Sequence, residues 1–322
     1  MKKQAIIFIS VIYSILFANL GIAQNSLFDD AGEYLMQEKN DKALQLLSDS
    51  AANYESNPGY FELLGKAHYN LESFDQAIEA FIKCIELDNS NADCHYLLGS
   101  VLLDKLQITE SLFQKGSIAS KAKASLLRSI ELQPSHIEAR EKLANYYLNA
   151  PLIAGGSNTK AQEQATEIMK YNEIKGRTLM ATIHVNRQAY DEAEREYIAI
   201  LKKDSSNTNT MYNLGNFYVD RKRYDEAFEI ASNMIESFPD VLLGYYFYGR
   251  LASITKNNVA KGKKCMMKFI DESPEKSTPA KHWAYYRLAL LKKKMGEDYK
   301  QDAAKALELY PDFKQAKALL NE

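Results

Sequence analysis

The sequence is poor in the residues that interrupt helices. Its 322 residues include only 7 prolines and 14 glycines, whereas Ala, Leu, Lys and Glu, which are good helix formers, are abundant. Hydrophobic residues make up 46% and charged residues 25% of the chain, which excludes the composition of a disordered protein. The composition therefore predicts a folded protein built mainly of helices.

The sequence also lacks an excess of charge of either sign. It holds 40 Lys and Arg against 42 Asp and Glu, so it has no basic surplus of the kind that nucleic-acid-binding domains carry. After residue 23, no apolar run reaches the roughly 20 residues that a bilayer-spanning helix needs. We therefore expect no nucleic-acid partner, and no stable membrane span once the leader described next is removed.

The N-terminal segment, residues 1–23, has the pattern of a secretory signal peptide. Two lysines precede an apolar run over residues 5–20, and Gly21-Ile22-Ala23 supplies small residues at the positions that a signal peptidase reads. The alternative is an uncleaved anchor, although the run of about 16 residues is shorter than a typical spanning helix. Cleavage after Ala23 would give a periplasmic or secreted protein.

Cysteine is scarce as well, and an odd number leaves at least one thiol unpaired even in an exported chain. We interpret Cys84, Cys94 and Cys265 as small buried apolar side chains. Zinc favours Cys and His ligands, and His68 and His95 fall in the same part of the chain as the first two cysteines. Because no closely spaced Cys or His pair accompanies them, we expect no metal site.

What the sequence does contain is an internal repeat. Gly99 follows Gly65 by 34 positions, and Gly249 follows Gly215 by the same interval. In eight such units a second small residue follows the first, and in four of them the two are 12 positions apart. Small residues at this spacing let two antiparallel helices approach closely on either side of a short turn.

This unit resembles the tetratricopeptide repeat (TPR), a helical hairpin with Leu-Gly in its first helix, Tyr/Phe-Asp at its turn and a terminal Pro. Residues 61–91 carry Leu64-Gly65 and Phe74-Asp75, and residues 211–240 carry the same residue types through Pro239. The resemblance implies an all-α, right-handed superhelical solenoid of about eight TPR-type hairpins with a C-terminal capping helix. It is specific for fold and says little about function.

We divide the chain into a signal peptide over residues 1–23 and a TPR array over residues 24–322. The eight units span residues 24–57, 58–91, 92–136, 137–173, 174–207, 208–241, 242–276 and 279–311, and the cap spans residues 312–322. A single hairpin cannot bury its apolar face alone, so neighbouring units must stack.

The third unit is longer than the repeat. Gly99 and Ala122 are 23 positions apart, 11 more than the common spacing of 12. Since no proline interrupts this stretch, we expect two lengthened helices, joined near Gly116, that project from the array.

The fourth unit contains the insertion "APLIAGGSNT". Pro151 should end the first helix, Gly155-Gly156 permits backbone angles closed to other residues, and Ser157, Asn158 or Thr159 can cap the second helix. The order Gly-Gly-Ser-Asn-Thr-Lys after a helix differs from the GxxxxGK[S/T] that follows a strand in phosphate-binding loops. We therefore predict a structural turn. The two insertions together, the long third unit and this turn, also resemble those of a group of exported bacterial TPR proteins.

Sequence motifs for catalysis are missing, including GxSxG, HExxH and Walker-type patterns. His68 and His184 occupy the repeat position that tyrosine fills elsewhere, so we interpret them as packed rings and not as catalytic bases. We therefore expect no enzyme and no cofactor.

The candidate binding surface is the groove that the TPR resemblance implies, which is lined by the first helix of each hairpin. The positions that flank the inner small residues give the partner-binding candidates Lys66, Tyr69, Tyr96, Asn145, Tyr212, Asn216, Tyr246 and Arg250. Tyrosine offers a large contact area with a polar tip, and asparagine can pair with a peptide backbone. For each tyrosine, filling a gap between helices is an equally open alternative.

Some TPR domains bind C-terminal carboxylates through a set of Lys, Asn and Arg on three successive first helices. That set is incomplete here, since Thr178, Thr182 and Phe247 occupy matching positions. This ligand class is therefore disfavoured by the sequence.

The sequence predicts a non-catalytic protein- or peptide-binding scaffold exported to the cell envelope. One alternative is a structural subunit of an envelope assembly, which could self-associate through an apolar patch at "ITESLF". Another is a small-ligand-binding component of a transport system, which would need a deep cavity lined by Tyr212, Tyr246 and Arg250.

Overall fold

The computed structural model describes residues 27–322, and all regular secondary structure in this range is helical. The all-α prediction is confirmed. The predicted leader lies outside the described residues and stays a prediction. The α-helices are α1 (27–36), α2 (Asn40–Asp49), α3 (Pro58–Asn70), α4 (Phe74–Leu87), α5 (Ala92–Ile108), α6 (Leu112–Leu132), α7 (Ile137–Asn149), α8 (Asn158–Met169), α9 (Glu173–Asn186), α10 (Tyr190–Lys203), α11 (Thr208–Asp220), α12 (Tyr224–Ser237), α13 (Leu242–Thr255), α14 (Val259–Glu272), α15 (Lys281–Met295), α16 (Lys300–Leu309) and α17 (Lys314–Leu320).

The helices belong to two compact units, Met1–Leu179 and Met180–Glu322, of which the first is described from residue 27. They are called the N-terminal unit and the C-terminal unit below. None of the helices between residues 27 and 322 has both the length and the apolar composition that crossing a membrane requires.

Several first helices begin at an asparagine that caps them. Asn57, Asn91 and Asn207 precede α3, α5 and α11, and each side-chain oxygen accepts a hydrogen bond from the backbone amide three residues later, at 3.2, 2.9 and 2.9 Å. Such a cap satisfies one of the amides that the first turn of a helix leaves unpaired. The repeat thus encodes the start of these helices locally.

The turns inside the hairpins also recur. Glu38, Glu72, Gln188 and Lys222 each have a left-handed backbone with φ between 57 and 60°. The first two lie 34 positions apart and so do the last two, which matches the repeat in the sequence. A non-glycine residue in this conformation is uncommon, so its recurrence marks a shared turn geometry between paired helices.

Small residues let the paired helices of the N-terminal unit approach closely. A Cβ atom added to Gly65 would clash with the ring of Phe81, and one added to Gly99 would lie 2.7 Å from Cγ of Leu126. Phe81 and Leu126 are fully buried. The small residues thus lie where the paired helices approach each other in this core, as their spacing in the sequence predicts.

The C-terminal unit uses the same device. A Cβ atom on Gly249 of α13 would lie 2.6 Å from Cε of Met266 on the paired helix α14, and one on Gly215 of α11 would clash with Phe247 of the next hairpin. Its last helix, α17, buries Leu319 against α15 and α16, in the manner predicted for a capping helix.

The long hairpin of the third unit differs from the prediction in one respect. Both helices are lengthened as expected, but the chain turns at residues 109–111 and Gly116 lies inside α6. The prediction of a junction near Gly116 was wrong because the side chain of Ser111 caps α6 by accepting a hydrogen bond from Gln114 N. A helix with one internal glycine can continue when a cap fixes its start elsewhere.

The insertion of the fourth unit is a structural turn. Residues Leu152–Ala154 form a short 3₁₀ turn, Gly155 has a φ of 90°, and Ser157 caps α8 by accepting from Lys160 N at 3.3 Å. The amides of Gly155, Gly156 and Ser157 donate to carbonyls of the same loop or of α7, at 2.9, 3.0 and 2.8 Å. These amides are therefore not free to hold a phosphate group.

The interpretation of all three cysteines as buried apolar residues requires a correction. Cys84 and Cys94 form a disulfide between α4 and α5, and Cys265 is a buried free cysteine. The pairing was missed because the two residues lie in different repeat units, and only the packing of α4 on α5 brings them together.

Candidate partner-binding faces

In the N-terminal unit, the predicted groove residues are mostly engaged by neighbouring side chains. Lys66 Nζ lies 2.5 Å from Glu62 Oε1 on the same helix, so its charge is compensated locally. The hydroxyl of Tyr69 donates to the carboxylate of Asp104. Burial and this carboxylate both raise the pKa of Tyr69, which therefore remains a neutral donor.

The other two candidates of this unit lie further along the same series of first helices. Tyr96 on α5 packs on the ring of His136, with centroids 4.8 Å apart. Asn145 on α7 is exposed. Of the four candidates in the N-terminal unit, Asn145 is thus the most available for a partner.

The C-terminal unit brings its four candidates closer together. Arg250 Nη1 on α13 donates to Asn216 Oδ1 on α11, and these residues are 34 positions apart. Tyr212 is half-buried, and the edge of its ring packs on Phe247, with centroids 5.2 Å apart. Equivalent positions of successive hairpins therefore contribute to one face of α11 and α13, and α15 packs against α13.

Tyr246 belongs largely to the core of the same unit. Its exposed fraction is 5%, and its ring lies 5.1 Å from that of Phe269, centroid to centroid. Tyr246 therefore fills a gap between helices, which was the alternative interpretation for a groove tyrosine. Burial raises the pKa of its hydroxyl, and the nearby charges of Arg250 and Arg287 oppose that rise.

Arg287 on α15 was missed by sequence reasoning. Its guanidinium carbon lies 5.8 Å from the ring centroid of Trp283 and 5.6 Å from that of Tyr286, within the range of cation–π attraction. Burial lowers the pKa of Arg287, and the positive charge of Arg250 contributes to this. The one sequence signal is the pairing of Arg287 with the chain's single Trp one helical turn earlier.

Arg223 in the same unit shows the ordinary environment of a partly buried arginine. Two of its nitrogens lie 2.6 and 3.2 Å from the carboxylate of Glu194, and a third lies 2.8 Å from Glu226. The hydroxyl of Tyr218 also donates to Glu194, at 2.8 Å. The positive charge of Arg223 is therefore compensated within this cluster.

Two loops of the N-terminal unit expose large apolar side chains. At the end of the long hairpin, Ile108, Leu112 and Phe113 are 67%, 84% and 90% exposed. In the turn of the fourth unit, Leu152 and Ile153 are 87% and 97% exposed. The patch anticipated at "ITESLF" is thus present, and the residues at the end of the long hairpin are called the hairpin tip below.

The residues considered as metal ligands do not form one cluster. Cys84 and Cys94 are joined to each other, and the nearest carboxylate is that of Glu62, whose Oε2 lies 3.9 Å from Cys94 Sγ. His68 and His95 lie outside this group. The disulfide leaves neither sulfur available as a thiolate ligand. The expectation of no metal site stays a prediction.

Two surface depressions of about 400 Å³ lie away from the predicted groove residues. One, of 410 Å³, is formed by α4, α5 and α6 and includes His95, whose Nε2 already lies 3.1 Å from Asn89 Oδ1. The other, of 400 Å³, is lined by residues of α10, including Glu194 and Arg195. Neither is lined by Tyr212, Tyr246 and Arg250, the residues that the small-ligand alternative requires.

Comparisons with known families agree with the helical-hairpin geometry. A TPR repeat model matches residues 65–105, and a second model described as a tetratricopeptide repeat matches residues 178–241. The chain is a tetratricopeptide repeat protein. The matched segments contain Gly65, Gly99 and Gly215, at which the close helix approaches described above occur.

Solved TPR structures are similar to this protein in fold. One is a TPR protein from Parabacteroides merdae, with a TM-score of 0.55 and 14% identity, covering 83% of this chain and 98% of that one. Another is a thermophilic TPR protein from Thermus thermophilus, with a TM-score of 0.50 and 13% identity, covering 61% and 98%. At these identities the likeness shows the fold alone.

A sequence relative is the human protein O-mannosyl-transferase TMTC3, which is 24% identical over 262 residues. The match covers 80% of this TPR protein but only 26% of the human one. This chain thus spans about a quarter of that relative's length, and the match does not extend the relative's activity to it.

Proposed function

We propose that this TPR protein is a non-catalytic scaffold of the cell envelope that binds a protein or peptide through its first helices. The observation that carries the proposal is the face of α11, α13 and α15, where Tyr212, Asn216 and Arg250 from successive hairpins lie beside one another. A preformed surface of this kind binds without the cost of ordering it first.

Export is part of the proposal, and two features support it. Residues 1–23 have the pattern of a cleaved leader, and the Cys84–Cys94 disulfide is typical of proteins that fold in oxidising compartments. A periplasmic or secreted location accounts for both.

A second candidate function is supported by the hairpin tip. Leu112 and Phe113 are almost fully exposed, and exposed apolar patches on soluble proteins often mark contact sites. In this alternative the tip joins the protein to an envelope assembly or to another copy of itself.

Affinity purification of the tagged protein from its native envelope tests both functions. Tyr212→Ala alters the face of the C-terminal unit, and Leu112→Ser/Phe113→Ser alters the hairpin tip. Tyr171→Ala, at a 49% exposed tyrosine of the N-terminal unit, is the matched control for loss of a ring.

We expect a partner that is retained by the control, lost from Tyr212→Ala and kept by the tip variant. Loss from the tip variant alone would support the assembly function instead. Retention by all three folded variants would contradict both binding surfaces.

A further inference from the structure

Four large apolar side chains of the N-terminal unit lie on two neighbouring loops and are almost fully exposed. Leu112 and Phe113 belong to the hairpin tip, and Leu152 and Ile153 belong to the turn of the fourth unit. This turn contacts α6, the helix that begins at the tip. The two apolar loops are therefore connected through one helix of the same unit.

The outward face of α6 runs from one loop towards the other. Exposed residues recur along it at intervals of three or four positions, so they lie on one side of the helix. They are Phe113, Ser117, Ser120 and Ala124. Because the last three have small side chains, this side of α6 can approach a flat surface closely. The hairpin tip, this face and the turn of the fourth unit are called the α6 surface below.

The α6 surface carries positive charge, although the chain as a whole has a net charge of −2. Residues 107–127 contain Lys115, Lys121 and Lys123 against a single acid, Glu110. In the described part of the chain, none of these three ammonium groups forms an ion pair. The surface thus combines exposed apolar side chains with uncompensated positive charge.

The residue types of this surface favour a lipid bilayer over a protein as its occupant. Protein interfaces are depleted in lysine, and their strongest anchors are Trp, Tyr and Arg, none of which occurs in residues 107–127. Phe and Leu beside Lys are typical of proteins that lie on membranes, where the apolar groups enter the acyl boundary and the ammonium groups attract anionic lipids.

The dimensions of the surface agree with a flat occupant. Nζ of Lys123 lies 3.4 Å from the place that a Cβ on Gly155 would take, so this lysine marks the turn of the fourth unit. Leu112 precedes Lys123 by 11 positions in α6, which corresponds to about 16 Å along the helix axis. A bilayer can contact apolar groups this far apart at once, whereas a single pocket of a protein encloses one such group.

We propose that the α6 surface docks this TPR protein peripherally onto an anionic lipid bilayer. Leu112 and Phe113 at one end and Leu152 and Ile153 at the other enter the boundary between headgroups and acyl chains. The lysines of α6 lie between them and attract lipid phosphates. This goes beyond the proposed function, because the occupant is lipid and the protein-binding face of α11 and α13 is not part of the surface.

Vesicle sedimentation tests the docking directly. The full chain, in the form that its host produces, is mixed with vesicles of phosphatidylcholine and phosphatidylglycerol, or of phosphatidylcholine alone. We expect binding to the anionic vesicles that weakens as salt is raised, since salt screens the attraction. Binding to the neutral vesicles should be weaker.

Removal of the apolar side chains should reduce this binding. Leu112→Ser/Phe113→Ser should lower the partition into anionic vesicles by about tenfold or more, because both side chains lose their contact with lipid. Phe113→Ala alone serves if the double variant fails to fold, and circular dichroism establishes that the helices are retained. Met36→Ser is the matched control, because Met36 is 81% exposed elsewhere in the N-terminal unit.

Removal of the charges should act independently of the apolar groups. Lys121→Gln/Lys123→Gln should lower the partition by about fivefold for each lysine and reduce its dependence on salt. Lys42→Gln/Lys83→Gln removes the same charge from exposed positions of α2 and α4 and should bind as the native chain does.

A local probe separates docking by the tip from binding by any other segment. A fluorophore is attached to the variant Gln114→Cys, which keeps Phe113, and the native cysteines are a disulfide and a buried thiol that do not compete for the label. Lipids with brominated acyl chains should quench this fluorophore. The same label on Tyr171→Cys, at an exposed residue of the same unit, should not be quenched.

No binding to anionic vesicles, equal binding by the tip variant, or equal quenching at positions 114 and 171 would overturn the proposal. Without vesicle binding, self-association that is lost in the tip variant would assign the α6 surface to a second copy. A crosslink from position 113 to an envelope protein, again without vesicle binding, would assign it to a protein. In each case partner capture that is lost in Tyr212→Ala would leave the proposed function intact.

Discussion

The two units of this TPR protein both use small residues for close helix packing, but their predicted groove residues have different polar partners. In the N-terminal unit, Lys66 and Tyr69 are bound to acids of the unit itself, and a disulfide ties α4 to α5. In the C-terminal unit, Arg250 and Arg287 lack such acids. The small residues of the repeat thus mark close helix approaches in both units, whereas the partners of the predicted groove residues differ between them.

The largest expected effect is the difference in stability between removing a buried ring and removing an exposed ring from the N-terminal unit. Phe81→Ala should lower the free energy of unfolding by about 3–5 kcal/mol, because Phe81 is fully buried against Gly65. Phe113→Ala removes the same ring from the hairpin tip, where it is 90% exposed, and should change stability by less than about 0.5 kcal/mol. Urea denaturation measures both, and similar losses would contradict the view that the tip is free for contacts.

The next largest effect on stability should come from removing the disulfide, which lies in the N-terminal unit. Cys84 and Cys94 have a sequence separation of 10, so replacing both by Ala should cost about 2–3 kcal/mol in the chain-entropy description. A reductant should produce the same loss in the native protein and no further loss in the double variant. Cys265→Ala in the C-terminal unit is the control, and its response to reductant should remain that of the native chain.

Two glycines of the insertions should respond in opposite directions. A Cβ on Gly156 would overlap the carbonyl oxygen of Ala150, so Gly156→Ala should cost about 1–3 kcal/mol, as overpacking usually does. Gly116 lies inside α6 with no atom within 4 Å of an added Cβ, so Gly116→Ala should stabilise by about 0.5–1 kcal/mol. Thermal unfolding of the two variants checks the signs, and a loss at Gly116 would argue against a continuous α6.

The smallest effect should be a loss of stability on mild acidification. Burial lowers the pKa of His68 and His95 in the N-terminal unit and of His282 in the C-terminal unit. The unfolded chain therefore takes up protons first as the pH falls below about 6.5, and the free energy of unfolding declines from there towards the lowered folded-state pKa values. Urea denaturation at pH 7 and pH 5.5 measures this loss. His95→Gln should reduce it, and an unchanged loss would contradict the assignment to that residue.

The sequence was sufficient for features that depend on local spacing. Gly65 and Gly249 marked the close approach of helices because each faces a side chain on the second helix of its own hairpin, Phe81 and Met266. Pro151 and Ser157 marked the turn of the fourth unit because proline and a capping serine act over a short stretch of chain.

Features that depend on packing between units could not be read in this way. The disulfide joins residues from different hairpins, and Tyr246 became buried because Phe269 of the following helix lies against it. Arg287 was missed because it lies two positions before Ala289, whereas the candidates of the C-terminal unit lie three positions before or one position after the small residue of their helix. The compensation of Arg223 by the carboxylates of Glu194 and Glu226 is likewise visible only once the helices are packed.

The most direct test of the account is site-specific photo-crosslinking in the native envelope. A photoreactive residue replaces Asn216 on the face of α11, α13 and α15. In separate variants the same residue replaces exposed Glu229 on α12, as a control, and Phe113 at the hairpin tip. We expect a discrete crosslinked protein at position 216, lost in Tyr212→Ala and absent at position 229. Equal crosslinking at both positions, or crosslinking only from position 113 at the hairpin tip, would contradict the claim that this face binds the partner.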